Sequence, residues 1–192
     1  GDAMQSFNRH AFKEWSVVCA ALANGKQSLI LRKGGVEDGA EGIRVEKPEF
    51  WLYPTFLHQE QHKHGGSSDS LSTPAARNTS VLDATVRIQH YAVVHRAEFI
   101  PTEVALARLQ KFHIWSSSTI VQRFHYRKPG LWLLIVRIYQ TATPVEVSQS
   151  EEMAGCRTWV ELPRELPTAD LQPVLSDAEF AHRCREIEDQ LV

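Results

Sequence analysis

The N-terminal part of the chain contains two short apolar runs, which are joined by a polar turn. The runs cover residues 15–22 and 28–31, and Asn24-Gly25 lies between them. Asn-Gly accepts positive φ at low cost and is a strong signal of a hairpin turn. We therefore expect a β-hairpin at this point, with a short helical turn within residues 7–15 leading into its first strand.

Runs rich in β-branched and aromatic residues predict further strands. They cover residues 50–56, 84–99, 131–140 and 158–162. Pro54 has no N–H group to donate to a ladder, so it indicates an edge or a bend in the first of these strands. The polar pairs Gln89-His90 and His95-Arg96 interrupt the long middle run, and they indicate a bulge there.

Three other segments have the features of helices. They cover residues 101–112, 117–126 and about 176–191. In the last of them, Ser176 and Glu179 have the spacing of a capping box, and apolar residues recur on one face. The polar segment at about 60–80, which is rich in Gly, Ser and Thr, predicts a long mobile loop.

This order of elements predicts a single domain over residues 2–192. We expect the α+β class, with a mainly antiparallel sheet and covering helices. Because strands flank short helices, a small barrel of the PUA-like kind is one arrangement that fits the order by analogy.

Composition indicates the cellular compartment of the protein. The chain has 192 residues, of which 43% are hydrophobic and 23% are charged, as in ordinary globular proteins. No apolar stretch is long enough to span a bilayer and no signal-peptide pattern is present, so we expect a cytoplasmic protein without a membrane partner. The three cysteines are widely spaced, which suits buried thiols in a reducing compartment.

Charge is unevenly distributed along the chain. The net charge is −2, which gives no global argument for nucleic acid. However, residues 83–140 carry eight Lys or Arg against three acids, whereas residues 141–192 carry four against eleven. A basic middle beside an acidic tail permits a local phosphate-binding face, and it equally permits two solvated faces that partly neutralise each other.

Two segments are candidates for binding phosphate or nucleic acid. The first is the basic turn formed by Arg32, Lys33, Gly34 and Gly35. A strand that ends in two cations followed by glycines can turn several backbone N–H groups toward one phosphate, although a tight turn with solvated cations fits the same residues. The second segment covers residues 112–130. Its cations and flat side chains are Arg123, Arg127, Lys128, Trp115, His125 and Tyr126.

In the second segment, the cations can neutralise phosphates and the flat side chains can stack on unpaired bases. An amphipathic helix whose cations face water is the alternative. Catalytic residues are not predicted, because the sequence has no Gly-x-Ser-x-Gly elbow and no cysteine in an electropositive turn.

Three histidines are the candidates for metal binding. His58, His62 and His64 lie close together in sequence, and imidazole is a common metal ligand. The spacing has no partnering Cys pair, so incidental histidines are the alternative. A divalent metal is therefore expected only if the protein is a metal-dependent enzyme, and no other cofactor is predicted.

Three blocks of sequence together resemble a known family. They are AFKEWSVVCAALANGKQSLILRKGG, FWLYPTFLHQ and HIWSSSTIVQRFHYRKPGLWLLIVRIYQ. These blocks are similar to an uncharacterised bacterial family, the domain of unknown function 1802. The resemblance covers about residues 12–162, and it implies no activity, cofactor or catalytic residue. The family resembled is associated with restriction-modification genes, but the chain has no Glu-x-Lys of the kind that holds Mg²⁺ in restriction nucleases.

These observations leave three functional classes. The first is a non-enzymatic module that binds nucleic acid or nucleotides through a basic, aromatic face. The second is a metal-dependent enzyme that acts on a phosphate ester with the histidines around His58. The third is a partner-binding subunit linked to restriction-modification.

Overall fold

The computed structural model describes residues 4–56, 85–150 and 157–192. In chain order, its main elements are β1 (Phe7–Trp15), α1 (Ser16–Ala23), β2 (Leu29–Arg32), β3 (Val36–Gly39), β4 (Gly42–Val45), β5 (Glu49–Thr55), β6 (Thr85–Ile100), α2 (Glu103–Ala107), α3 (Ser117–His125), β7 (Leu131–Ser148), β8 (Trp159–Pro167), β9 (Gln172–Pro173) and α4 (Asp177–Glu188). Short 3₁₀ helices follow α2 and α4, at Gln110–Phe112 and Asp189–Leu191.

Most of the strands form one sheet. Its order is β2-β7-β6-β5-β1-β8, with β9 added to β7, and β3 and β4 form a separate hairpin. The pairings in the sheet are antiparallel except for β1 with β5, which is parallel. The α+β class with a mainly antiparallel sheet is therefore confirmed. Among the described residues the sheet stays open rather than forming a closed barrel, because its end strands β2 and β8 do not pair with each other.

The predicted N-terminal hairpin is wrong. Residues Phe7–Trp15 form a strand, and Ser16–Ala23 form a helix. The sequence of α1 is apolar on almost every side, so it carries no clear helical or strand period. Asn24 and Gly25 end this helix instead of joining two strands: Gly25 has a φ of 79°, and the Asn24 N–H donates to the Ala20 carbonyl at 3.0 Å.

The two long strands are present as predicted, but β7 continues to Ser148, beyond the predicted end at residue 140. β6 contains register shifts between Ile88 and His90 and between Val94 and Arg96, at the two polar pairs that indicate a bulge. Pro54 lies in an interior strand, but the pairing of β5 with β6 covers only Glu49–Trp51. Pro54 is beyond that pairing, so its missing N–H costs no hydrogen bond on the β6 side.

The observed helices agree in part with those predicted from the sequence. The segment predicted as one helix at residues 101–112 is α2 followed by a 3₁₀ helix. α3 begins after Ser116, whose hydroxyl accepts a hydrogen bond from the Thr119 N–H. The capping box of Ser176 and Glu179 is confirmed at the start of α4. The loop predicted at about 60–80 lies outside the described residues.

The buried residues form two hydrophobic clusters. In β1 and β5 neighbouring residues alternate between them, so that Phe12 and Leu52 belong to one cluster and Ala11 and Trp51 to the other. The two clusters therefore lie on opposite faces of the sheet at these strands. The first cluster also contains residues from α1, α2, α3 and α4. In β2 consecutive residues are fully buried, which indicates that both faces are covered there.

Candidate nucleic-acid interface

The end of β2 and the start of β7 bring the two predicted binding segments together. β2 runs antiparallel to β7, with Arg32 opposite Trp132. The turn that follows Arg32 therefore lies next to residues 126–130, which connect α3 to β7; we call residues 126–130 the cationic loop. Two segments that are distant in sequence thus meet at one edge of the molecule.

Lys33 joins the two segments directly. Its ammonium donates to the carbonyl oxygens of Phe124 at 2.5 Å and Gly130 at 2.8 Å, and also to that of Lys128. An ammonium has three N–H donors and no acceptor, so these carbonyls use its full capacity. Lys33 holds the loop and has no donor left for a phosphate.

The cationic loop contains an unusual backbone turn. Arg127 has a φ of 64°, and it is the only non-glycine residue with positive φ in the described part of the chain. The Lys128 N–H donates to the Tyr126 carbonyl at 2.8 Å across it. This is a γ-turn with a positive central φ, a form that is rare and strained. The loop ends at Gly130, where a Cβ atom would lie 2.3 Å from the Phe99 ring.

An open groove of about 510 Å³ lies between the cationic loop and the β3–β4 hairpin. Its lining includes Gly34, Asp38, Phe99, Tyr126, Arg127 and Lys128. Tyr126 is 58% exposed and Phe99 is 41% exposed, so both present ring surface to solvent. The Arg127 guanidinium lies 5.2 Å from the centre of the Tyr126 ring. The volume is within the range of about 300–1,000 Å³ that is usual for small-ligand sites.

Arg32 is partly buried and does not line the groove. Its guanidinium stacks on the rings of Phe12 and Trp159, at 5.2 and 5.0 Å from their centres. Gly35 has a φ of 84°, and a Cβ atom there would lie 3.0 Å from the guanidinium carbon. Burial lowers the pKa of Arg32 to about 10, against the opposing effect of Glu46 and Glu14.

Arg123 and Trp115 also belong to the interior. The Arg123 guanidinium donates to the Leu31 carbonyl at 2.9 Å and lies 5.1 Å from the centre of the Trp115 ring. Burial lowers the pKa of Arg123, and the nearby carboxylate of Glu14 opposes that shift. Trp115 is only 2% exposed and packs in the core. Arg123 thus ties α3 to β2, and its partner ring has almost no surface for a base.

Two buried titratable groups accompany these arginines. Burial raises the pKa of Glu14, while Arg123 and Arg32 act in the opposite direction. Burial, together with the charge of Arg123, lowers the pKa of His113 to about 4. Neither group is in the groove.

His125 lies on a different side of α3. Its Nε2 is 2.8 Å from the Glu103 carboxylate in α2, and both side chains are half exposed. Of the residues predicted for binding, the structure therefore brings Lys33, Gly34, Tyr126, Arg127 and Lys128 to the groove.

Sequence reasoning missed three groove residues, Asp38, Phe99 and Trp132. Phe99 and Trp132 reach it because β6 and β7 pair with these two residues opposite each other. That register cannot be read from either strand alone. Asp38 reaches it through the β3–β4 hairpin, for which the glycines at Gly39 and Gly42 are the only local signal.

The metal candidates cannot be placed in this arrangement. His58, His62 and His64 lie outside the described residues. Within the residues that are described, no three His, Cys, Asp or Glu side chains come together in a way that could hold a metal ion. No helix in the same part of the chain is long and apolar enough to cross a membrane.

Comparisons with known proteins identify a family to which the chain belongs and two solved structures with distant similarity. No curated protein sequence matches the chain. A crystal structure of a mutant ASCH protein from Zymomonas mobilis is 12% identical, with a TM-score of 0.44, over 96% of this chain and 99% of that one. The structure of ASCH from the same organism is 11% identical, with a TM-score of 0.41, over 92% and 93% of the two chains.

A family model also matches most of the chain. It covers residues 11–186, and so it includes the β3–β4 hairpin, the cationic loop and all strands of the large sheet except the first residues of β1. It also reaches most of the C-terminal helix, beyond the limits that the sequence blocks indicate. The chain therefore belongs to the family described as domain of unknown function DUF1802.

Proposed function

We propose that the protein binds single-stranded nucleic acid, or the nucleotides that compose it, through the groove. The observation that carries this proposal is that two exposed cations, Arg127 and Lys128, share one groove with the exposed ring of Tyr126. Cations that track the backbone together with rings that stack on bases are the usual elements of a single-strand binding surface.

Arg127 and Lys128 are the groups expected to contact phosphate. Both are exposed, and neither forms an ion pair with a carboxylate in the described part of the chain. A phosphodiester can therefore approach them without displacing a carboxylate. The guanidinium of Arg127 can bind two phosphate oxygens at once, which a lysine cannot do.

Tyr126 and Phe99 are the groups expected to contact a base. Stacking of a base on an aromatic side chain contributes about 1–3 kcal/mol, and it requires that the base is unpaired. Asp38 is the acid in the groove lining. Its carboxylate repels phosphate and accepts hydrogen bonds, so it favours the amino group of a base or a sugar hydroxyl on the hairpin side.

The first prediction concerns the two groove cations. In the double variant Arg127→Ala/Lys128→Ala, we expect affinity for a labelled single-stranded RNA or DNA to fall by about tenfold or more, because two phosphate contacts are lost. The slope of log affinity against log salt should decrease by about 1.4, at about 0.7 for each contact to a single strand. Fluorescence anisotropy over a series of salt concentrations measures both quantities.

The matched control removes the same charge elsewhere. Lys26 and Arg185 are exposed and lie outside the groove lining, so Lys26→Ala/Arg185→Ala has the same net charge as the test variant. We expect this control to keep the native salt slope. Equal losses in both variants, or no binding of any oligonucleotide by the native protein at low salt, would contradict the proposal.

A further inference from the structure

We propose that Lys33 is the positioning residue of this groove: it holds the cationic loop in the conformation that presents Arg127 and Lys128, and it controls affinity without touching the ligand. The effect on affinity rests on the proposed function. The effect on the loop does not, because it follows from contacts within the protein.

The hydrogen bonds of Lys33 reach three different parts of the loop region. Phe124 is in the last turn of α3, Lys128 is just after the γ-turn, and Gly130 is the residue before β7. One ammonium thus fixes the backbone before and after Arg127. The same ammonium lies at the C-terminal end of α3, where the carbonyls of a helix carry partial negative charge and favour a cation.

The backbone geometry at Arg127 needs support from outside the turn. A non-glycine residue in the left-handed region persists when the surrounding structure determines it from several sides. The local hydrogen bond from the Lys128 N–H to the Tyr126 carbonyl closes the turn. Lys33 supplies the long-range restraint, from a residue at the end of β2. Without it, the loop can relax to extended conformations that no longer direct Arg127 and Lys128 into the groove.

The geometry of the ammonium is important as well as its charge. Three carbonyl oxygens converge on a single nitrogen atom, which suits the three donors of a lysine. A guanidinium spreads its donors over a plane in a fixed fork, so arginine is a poor substitute at such a position. A purely electrostatic role would tolerate arginine, whereas a positioning role would not.

The experiment compares Lys33→Met, Lys33→Arg and the control Lys26→Met. Amide hydrogen exchange at Lys128 and Gly130 reports the loop without any ligand, because both amides are hydrogen-bonded within it. We expect faster exchange at both sites in the two Lys33 variants and native exchange in the control. Chemical denaturation of each variant shows whether the rest of the fold is intact.

Binding of a single-stranded oligonucleotide is then measured in two backgrounds. In the native background, Lys33→Met and Lys33→Arg should lower affinity by roughly tenfold, as expected if the competent loop conformation falls to about a tenth of the population. In the Arg127→Ala/Lys128→Ala background, Lys33→Met should cause no further loss, because Lys33 acts through those two residues.

Several outcomes would overturn the inference. Native exchange at Gly130 in Lys33→Met would show that Lys33 does not hold the loop. Native affinity in Lys33→Arg, or an additional loss in the double-variant background, would show that Lys33 acts by its charge or by direct contact. If the native protein binds no oligonucleotide, the proposed function and the control of affinity both fail, and the exchange result alone still decides whether Lys33 holds the loop.

Discussion

Arg127 and Lys128 differ from the neighbouring cations Arg32, Lys33 and Arg123 in what surrounds them. Arg32 and Arg123 lie against aromatic rings, and Lys33 donates to backbone carbonyls. Removing any of these three leaves buried partners without their contact, so substitutions there are expected to change stability. The exposed pair can be substituted at little cost to the fold, since exposed side chains usually contribute little to stability.

His113 gives a prediction for stability at acidic pH. Its side chain is 7% exposed, and burial followed by the charge of Arg123 lowers its pKa from 6.5 to about 4. Between these two values the unfolded chain binds a proton that the folded chain does not, so the free energy of unfolding decreases as pH falls. The loss should reach about 3 kcal/mol by pH 4.

Urea unfolding of native protein and His113→Leu at several pH values measures this contribution. The variant should lose the part of the pH dependence that lies between 6.5 and 4. Glu14 has the opposite sign, because its raised pKa makes the folded state bind more protons above pH 4.5. Both proteins contain Glu14, so its contribution cancels in the difference between their pH profiles. Identical pH profiles in the two proteins would contradict a lowered pKa at His113.

At the scale of single elements, the ends of helices carry measurable stability. The Ser176 hydroxyl accepts a hydrogen bond from the Glu179 N–H at 3.2 Å, and the Glu179 carboxylate accepts one from the Ser176 N–H at 3.0 Å. Ser176→Ala should lower the free energy of unfolding by about 1 kcal/mol. Ser6→Ala, at an exposed position outside any cap, is the control, and the two variants should differ clearly in denaturation midpoint.

Secondary-structure elements could be predicted where the sequence has one clear local pattern of apolar and polar residues. The capping box, the β6 bulges and the apolar part of β7 all follow from local patterns. α1 was not predictable, because its residues are apolar on nearly all sides and because Asn24-Gly25 can end a helix as well as join two strands. In such a case, the contacts of the folded chain decide between helix and strand.

The same distinction applies to the site. Tyr126, Arg127 and Lys128 could be predicted because a basic, aromatic segment is visible in the sequence. The role of Lys33 could not, because the number of its donors that are already used depends on where three distant carbonyls lie. Nor could the inward position of Arg123, since a cation in an amphipathic helix faces water in most sequences of this kind.

For the whole molecule, the structure shows how the uneven charge is used. Two cations of the basic middle contact acids of the final helix: Arg137 meets Asp177 at 2.6 Å, and Arg96 meets Glu188 at 3.6 Å. The acidic tail thus neutralises part of the basic middle, away from the groove. The partial neutralisation expected from the charge distribution therefore applies to Arg96 and Arg137, whereas phosphate binding stays a prediction for Arg127 and Lys128.

Arg137 offers a test of this division. Its guanidinium also donates to the Leu175 carbonyl at 3.1 Å and lies 5.4 Å from the centre of the Phe180 ring. Arg137→Met should lower the free energy of unfolding by about 1–2 kcal/mol, mainly through the lost hydrogen bond because Asp177 is exposed. Affinity for an oligonucleotide should stay within about twofold of native, because Arg137 is already paired with Asp177 and does not line the groove. A loss like that of the Arg127/Lys128 variant would place Arg137 in the binding surface.

The position of β1 in the sheet has a consequence for how the chain is made. β1 pairs only with β5 and β8 in the described part of the chain, and β8 follows more than one hundred residues later. During synthesis, the first strand therefore leaves the ribosome long before its second partner exists. Pairings between such distant segments slow folding, so the synthesis of β8 sets the time at which both edges of β1 become paired.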